Sequence, residues 1–322
     1  MNPIVVNLGN LQVGVKGFIK AETVCSITGK RTLHRDWFPN RLLTAGLNAM
    51  GLVDNWMDYC QVGASSAAVN PGDTGLYSWI AGTNQRAVSD TSGAQGVEPW
   101  YGWLQRTYRF PVGVAAGNVS EIGFGWADGA PGGTATLVAR QLIVDGAGDP
   151  DTFPVQSTEY LDITYQMRYY PPLTDVVGTT TIDGVLYDVT TRAANVNSGG
   201  SWGSIIGQIM KDISLFNTDW TAHDGTVGEI WQGPNGIQAA NDNDGSFSDE
   251  YQGNTQTRTV GSTAGSTGWV LGNGIRSMMF KTTGGQYQSE FSSNPGGLTI
   301  PKTTGKTLQM KWTISWAEKV LP

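Results

Sequence analysis

The sequence predicts a mainly β protein built from antiparallel β-sandwich domains of jelly-roll type, with one or two short helices. Three observations carry that prediction. Gly occurs 44 times in 322 residues, about twice the usual share of ~7%, and lies scattered among Thr, Ser and Asn as many turns between short strands require. Leu161, Ile163, Tyr165, Met167 and Tyr169 alternate with Asp162, Thr164, Gln166 and Arg168; this period of two puts one row on a core and the other in water. The same design returns at Leu308, Met310, Trp312, Ile314 and Trp316, which alternate with Gln309, Lys311, Thr313 and Ser315.

Taken in order, residues 3 to 38 read as a hairpin through the turn Thr28-Gly29-Lys30. RLLTAGLNAMG follows, where Leu43, Leu47 and Met50 recur at i, i+4 and i+7 and Gly51 offers a left-handed stop. This spacing predicts a helix of about three turns near 41–50. WMDYCQVG reads as a strand, and residues 89 to 99 as a surface loop. In NVSEIGFGW the large residues Ile122, Phe124 and Trp126 share one face, leaving Gly123 and Gly125 on a bare face that a second sheet or subunit can approach closely. Gly123 and Gly125 are therefore the candidate subunit contacts.

Pro171-Pro172 ends strand pairing, because neither proline donates to a ladder. It divides the chain into an N-terminal β domain, 1–172, and a C-terminal β domain with long polar loops, 173–322. Asp183-Gly184 marks a hairpin. Ile205, Ile206, Ile209 and Ile213 fall at helical spacing after Ser204 as a cap and predict a second short helix, although β-branching and Gly207 weaken it. From Thr218 to Gly268 turn chemistry dominates, and so long a polar segment reads as a binding loop or a mobile one.

The composition excludes several functions. Net charge is −7 and no Lys/Arg cluster is present, which argues against nucleic acid, whose phosphates need a basic stripe. The first residues lack the basic and apolar regions of a signal peptide, and no run of about 18 apolar residues offers a membrane span. The expected state is a soluble chain made in a cytosol and not inserted in a membrane. Cys25 and Cys60 are expected as small hydrophobes rather than a disulfide. Charged residues are only 15% of the chain, yet it holds 12 Trp, 11 Tyr and 9 Phe. That balance suits a protein that hides surface in an assembly.

Catalytic parts are scarce. His34 and His223 are the only histidines and neither has a neighbour at metal-ligand spacing. No nucleophile elbow, Walker loop or dinucleotide fingerprint occurs, so no catalytic residue, metal or cofactor is assigned. Asp242, Asp244, Asp249 and Glu250 in NDNDGSFSDE invite a cation, but the EF-hand register fails around Gly245, and a solvated acidic loop is the simpler reading. Glycoside cleavage needs two acids about 5 to 10 Å apart; Glu98, Glu121, Asp162, Glu229 and Glu290 all qualify, so the sequence selects none. Aromatic rings beside loops stack on sugars or anchor interfaces. Trp202, Trp231 and Trp269 are the candidate glycan or partner contacts on this ground.

NRLLTAGLNAMG, WMDYCQVGASSAAVNPGDTGL, YRFPVGVAAGNVSEIGFGW and ARQLIVDGAGDPDTFPVQSTEYLDITYQMRYYPP together resemble a group of bacteriophage virion proteins described as tail or tail-fibre structural proteins. The likeness covers about residues 40 to 172. TTIDGVLYDVTTRAANV and IPKTTGKTLQMKWTISW resemble the second half of the same group. The resemblance implies a structural protein of the host-attachment apparatus, assembled in the host cytoplasm and carried in the virion tail. Its implied partners are itself, as a trimer or ring, and other tail proteins. It supplies no catalytic residues. GASSAA stands where the group has a tighter Gly-Ser-Gly turn, which leaves local loop contacts open. Two alternatives stand beside it: a module that binds a host surface glycan, and a glycan-degrading tailspike enzyme.

Overall fold

The computed structural model describes residues 4–50, 56–130, 137–199, 202, 220–242, 246–252, 256–264, 272–282, 285–302 and 307–321. Strands dominate it. The first group is β1 (Ile4–Cys25), β2 (Arg31–Pro39), β3 (Arg41–Leu42), β4 (Tyr59–Gly63), β5 (Trp79–Thr83), β6 (Thr91–Ala94) and β7 (Gly102–Phe110). β8 (Gly117–Val119), β9 (Glu121–Gly125), β10 (Leu137–Leu142), β11 (Phe153–Val155), β12 (Glu159–Tyr170), β13 (Val176–Ile182) and β14 (Val185–Ala193) follow. The last are β15 (Trp220–His223), β16 (Gln238–Asp242), β17 (Ser246–Gln252), β18 (Thr257–Ala264), β19 (Ser277–Thr282), β20 (Gly285–Ser293) and β21 (Leu308–Glu318). One short α-helix, α1 (Thr44–Ala49), lies among the described residues.

The strand that everything else is built on is β1. On one edge it pairs antiparallel with β12 from Gly14 to Cys25. On the other it runs parallel to β21 from Ile4 to Val15 and then antiparallel to β2 from Phe18 to Val24. The resulting sheet has the order β17-β18-β21-β1-β12-β7-β6, with β2 beside β1 off that path. It takes strands from both sides of Pro172. A strand of 22 residues could not keep one face inward by simple alternation here, because the apolar positions change parity from Val6 and Leu8 to Leu11, Val13 and Val15, all buried. A register shift between Asn7 and Asn10 resolves this. Gly9 sits inside it at φ +85°, a left-handed backbone that a glycine bulge adopts at little cost.

Two smaller sheets cover the inward face. The five-stranded sheet β3-β10-β9-β4-β5 packs with α1 over the β1–β12–β7 end, where Phe124 lies 4.1 Å from Tyr165 and 5.6 Å from Tyr108 between ring centroids. The six-stranded sheet β13-β14-β20-β19-β15-β16 packs over the β21 end, with Phe280 5.0 Å from Trp312. The architecture is thus mainly antiparallel and sandwich-like, as the alternating strands predict. Leu161, Ile163, Tyr165, Met167 and Tyr169 are all buried, as are Leu308, Met310, Trp312, Ile314 and Trp316. The β13–β14 hairpin turns through Asp183 and Gly184 at φ +50° and +80°, the pair of positive angles that a two-residue hairpin loop of the primed type requires.

Several local expectations change. The apolar spacing of Leu43, Leu47 and Met50 does mark a helix, but α1 has six residues, because Arg41 and Leu42 are drawn into the ladder with β10 and Leu43 caps the helix in an extended conformation. Residues 89–99 include the short strand β6. The polar segment 218–268 contains β15, β16, β17 and β18, whose sequences show no period-two alternation. The helical spacing at Ile205 to Ile213 lies outside the described residues.

The outer row of β12 departs from its expected solvation. Asp162 is fully buried and Thr164 nearly so, because long cross-strand neighbours roof them over. Arg109 of β7 grips Asp162 with two hydrogen bonds of 2.8 and 2.7 Å, Arg31 stands 3.2 Å away, and Thr107 and Thr164 share a hydroxyl contact of 3.1 Å. Arg168 lies between the rings of Phe18 and Tyr101, 3.9 and 4.5 Å from their centroids. Cys25 and Cys60 are free thiols, the second buried.

Candidate functional site

Between β15 and β16 the chain makes a closed loop, residues 224 to 237, and this loop carries Trp231. Its two ends meet. The Ile237 amide donates to Asp224 Oδ1 at 2.7 Å, the Asp224 amide donates to the Ile237 carbonyl at 3.4 Å, and Asn235 N–H reaches the Thr226 carbonyl at 2.9 Å. Asn273 Nδ2 holds the other carboxylate oxygen at 3.0 Å. These donors, the Ile237 amide first, keep the Asp224 carboxyl below its usual range, so the staple stays ionised.

One buried side chain supports the loop from beneath. Gln288 of β20 is fully buried; its Nε2 faces the carbonyls of Gly228, Glu229 and Gln232 at 3.0, 3.1 and 3.2 Å, and its Oε1 accepts the Gly228 amide at 2.9 Å. Glu290 Oε2 accepts the Val227 amide at 3.2 Å. Val196 N–H donates to the Ile230 carbonyl at 3.1 Å. A compact loop with its ends tied and its backbone satisfied from below is an Ω-loop, a form often used for recognition. Trp231 at its tip is 45% exposed and Ile237 at its base 69%. At the loop's foot His223 is buried; desolvation lowers its pKa and holds it neutral, with Nε2 3.0 Å from Thr221 Oγ1.

The chain matches no family model, no curated protein and no solved structure. What the molecule can do is therefore read from its own geometry.

Trp202 is not a surface group. It is fully buried, its indole N–H donates to the Ala194 carbonyl at 2.8 Å, and its ring meets Tyr287 edge-on at 5.9 Å. A ring enclosed in this way has no face left for a sugar, which corrects the reading of Trp202 as a contact. Trp269 lies outside the described residues, as does Asp244, and the side chains of Asp242, Asp249 and Glu250 are likewise not described. Among the described residues no group of three or more His, Cys, Asp and Glu is placed to hold a metal ion.

Gly123 and Gly125 are buried within the chain itself. A Cβ on Gly123 would stand 2.6 Å from Leu137 and 3.0 Å from Leu76. The bare face thus makes room for the chain's own leucines, and the missing side chain serves internal packing rather than a subunit.

The carboxylates considered for glycoside cleavage are dispersed. Glu121, Asp162 and Glu290 sit on β9, β12 and β20, three different sheets, and each is held by arginine. Glu98 and Glu229 are exposed. Glu121 belongs to the most enclosed charge cluster described. Arg140 Nε and Nη2 contact Glu121 Oε2 at 2.8 Å, Nη1 contacts Asp73 at 2.9 Å and the Ala68 carbonyl at 3.2 Å, and Nη2 reaches the Ala67 carbonyl at 2.8 Å. Glu121 Oε1 accepts the Ser78 amide at 2.9 Å. The cluster fastens residues 64–78 onto the five-stranded sheet. Asp224, Gln288 and Arg140 are the supports that sequence reading misses, since a lone Gln or Arg in a strand carries no motif.

Proposed function

We propose that this chain is a structural component of a bacteriophage tail or tail fibre, assembling as an oligomer with itself and with other tail proteins in the host-attachment apparatus. The observation that carries the reading is the shared sheet: β1 and β21, from opposite ends of the chain, lie side by side and hold the two covering sheets on one frame. Such a frame suits a load-bearing part better than a hinged one, and the resemblance of residues 40–172 to tail proteins supplies the setting. At micromolar concentration the purified chain should sediment as a discrete oligomer, and density for it should appear in the virion tail. A compact monomer together with no tail density would overturn the proposal.

A second reading is favoured by the Ω-loop. We infer that Trp231 offers its ring to a host surface glycan, because an exposed indole on a braced loop loses little conformational freedom on stacking. On a glycan array the chain should bind at least one surface saccharide, and Trp231→Ala should remove that signal. Absence of binding, or binding unchanged by Trp231→Ala, would rule it out.

A further inference from the structure

An asparagine followed by glycine readily closes on itself, because the glycine nitrogen can reach the asparagine side-chain carbonyl with no β-carbon to crowd it and a backbone that turns freely. Asn-Gly occurs twice in the chain, at Asn235-Gly236 and Asn273-Gly274. The fold brings both pairs to the same carboxylate, that of Asp224, and treats them differently.

Asn273 is held. Its Nδ2 donates to Asp224 Oδ2 at 3.0 Å and its carbonyl accepts from Thr299 Oγ1 at 2.6 Å. Gly274 is buried, and a Cβ there would strike the Thr299 hydroxyl and the Ile300 carbonyl. Ring closure at this pair has to break the amide's bond to Asp224 and turn an enclosed peptide. Asn235 and Gly236 lie exposed in the Ω-loop. Neither the Asn235 side-chain amide nor the Gly236 N–H makes a hydrogen bond among the described residues, since Asp224 Oδ1 takes the next amide along, that of Ile237. The asparagine side chain is therefore free to rotate onto the glycine nitrogen.

We propose that Asn235 is a self-modification site, and that its product slackens the loop that carries Trp231. The Gly236 nitrogen bonds to Asn235 Cγ, the carboxamide C–N bond breaks, and the departing nitrogen takes up the glycine's proton and leaves as ammonia. Water then opens the five-membered imide at either carbonyl. One product is aspartate; the other is isoaspartate, whose main chain runs through the former side chain and is longer by a methylene. Only water enters, and the loss of ammonia makes the change one-way.

The loop has no slack to absorb that methylene. Asn235 N–H is tied to the Thr226 carbonyl at 2.9 Å and Ile237 N–H to Asp224 Oδ1 at 2.7 Å. Between these ties the peptide lies on Gly225, so close that a Cβ on Gly225 would strike the Asn235 carbonyl and a Cβ on Gly236 the Asp224 carboxylate. A longer main chain cannot keep both ties. Either product also adds a negative charge to a loop that already holds Asp224 and Glu229, in a chain of net charge −7. Stacking on Trp231 gains from a loop held in one form, so binding should fall with the share of chains that keep that form. For this effect on binding the inference rests on the glycan reading; the chemistry and the slackening do not.

The test is to age the full chain in mildly alkaline buffer and map it by mass spectrometry, with isoaspartate detected by enzymatic methyl transfer to its free carboxylate. In the folded chain the peptide bearing Asn235 should convert while Asn273 keeps its amide; in urea both should convert at similar rates. Hydrogen exchange across residues 224–237 should quicken in the aged wild type. It should stay unchanged in aged Asn235→Gln, where closure needs a larger ring. On a glycan array the signal of the aged chain should fall in proportion to the converted fraction. An Asn235 that survives in the folded chain, or an Asn273 that converts as fast, would overturn the site. Conversion with unchanged exchange would overturn the slackening. A fresh chain that binds no saccharide would overturn the glycan reading alone, and mass and exchange would still decide the site.

Discussion

Replacing Arg140 by Ala is expected to lower the stability of the chain by about 3–5 kcal/mol, the range found when one partner of a buried ion pair is removed and the other is left unpaired. The reason is local and electrostatic. Glu121 and Asp73 are buried, and the guanidinium meets both of them as well as the Ala67 and Ala68 carbonyls. Alanine would leave two carboxylates and two carbonyls facing an unfilled space. Lysine keeps the charge but has no planar fork to span four acceptors, so Arg140→Lys should recover only part of the loss. Urea denaturation measures the change, and limited proteolysis should find residues 64–78 cut faster in the alanine variant. A loss below about 1 kcal/mol, typical of a solvent-screened pair, would show that water reaches the cluster and that the enclosure is not what matters.

The sequence discloses the parts of this fold that depend on alternation. β12, β21 and the β13–β14 hairpin follow from period-two patterns and from a turn dipeptide whose backbone angles admit few other residues. It does not disclose partnership. That β1 would lie between β12 and β21 depends on contacts between distant parts of the chain, such as Cys25 opposite Glu159 and Lys16 with Glu318 at 2.7 Å, and nothing local encodes them. The parity change at Gly9 looks like a break in a strand until the register shift is seen to preserve its face. β15 to β18 stay hidden because their sequences, WTAH, QAAND, SFSDEYQ and TRTVGSTA, carry no run of alternating apolar and polar residues. The site behaves in the same way: Trp231 is legible as an aromatic beside turns, whereas the Gln288 that braces it is visible only as one polar residue in a strand.

Trp202 and Trp231 show the limit most sharply, since both are tryptophans in turn-rich sequence and only packing tells them apart. Trp202→Ala is expected to cost about 3–5 kcal/mol, as for a fully enclosed Trp truncated to Ala, and Trp231→Ala to stay within about 0.5 kcal/mol of the wild type, as for an exposed position. The first loses its ring contacts with Tyr287 and leaves the Ala194 carbonyl without its indole donor. A coupling experiment identifies the cavity as the cause. A Cβ on Gly285 would stand 2.2 Å from the Trp202 ring, so Gly285→Ala alone should be strongly destabilising; its φ of +146° adds backbone strain that any side chain would feel. With Trp202 already replaced the clash disappears and only the strain remains. Gly285→Ala should therefore cost less in the Trp202→Ala background than in the wild type, a non-additivity that contacting residues show and distant ones do not. Additive costs in urea unfolding would mean that the ring does not occupy the space above Gly285, and the enclosed position of Trp202 would have to be abandoned.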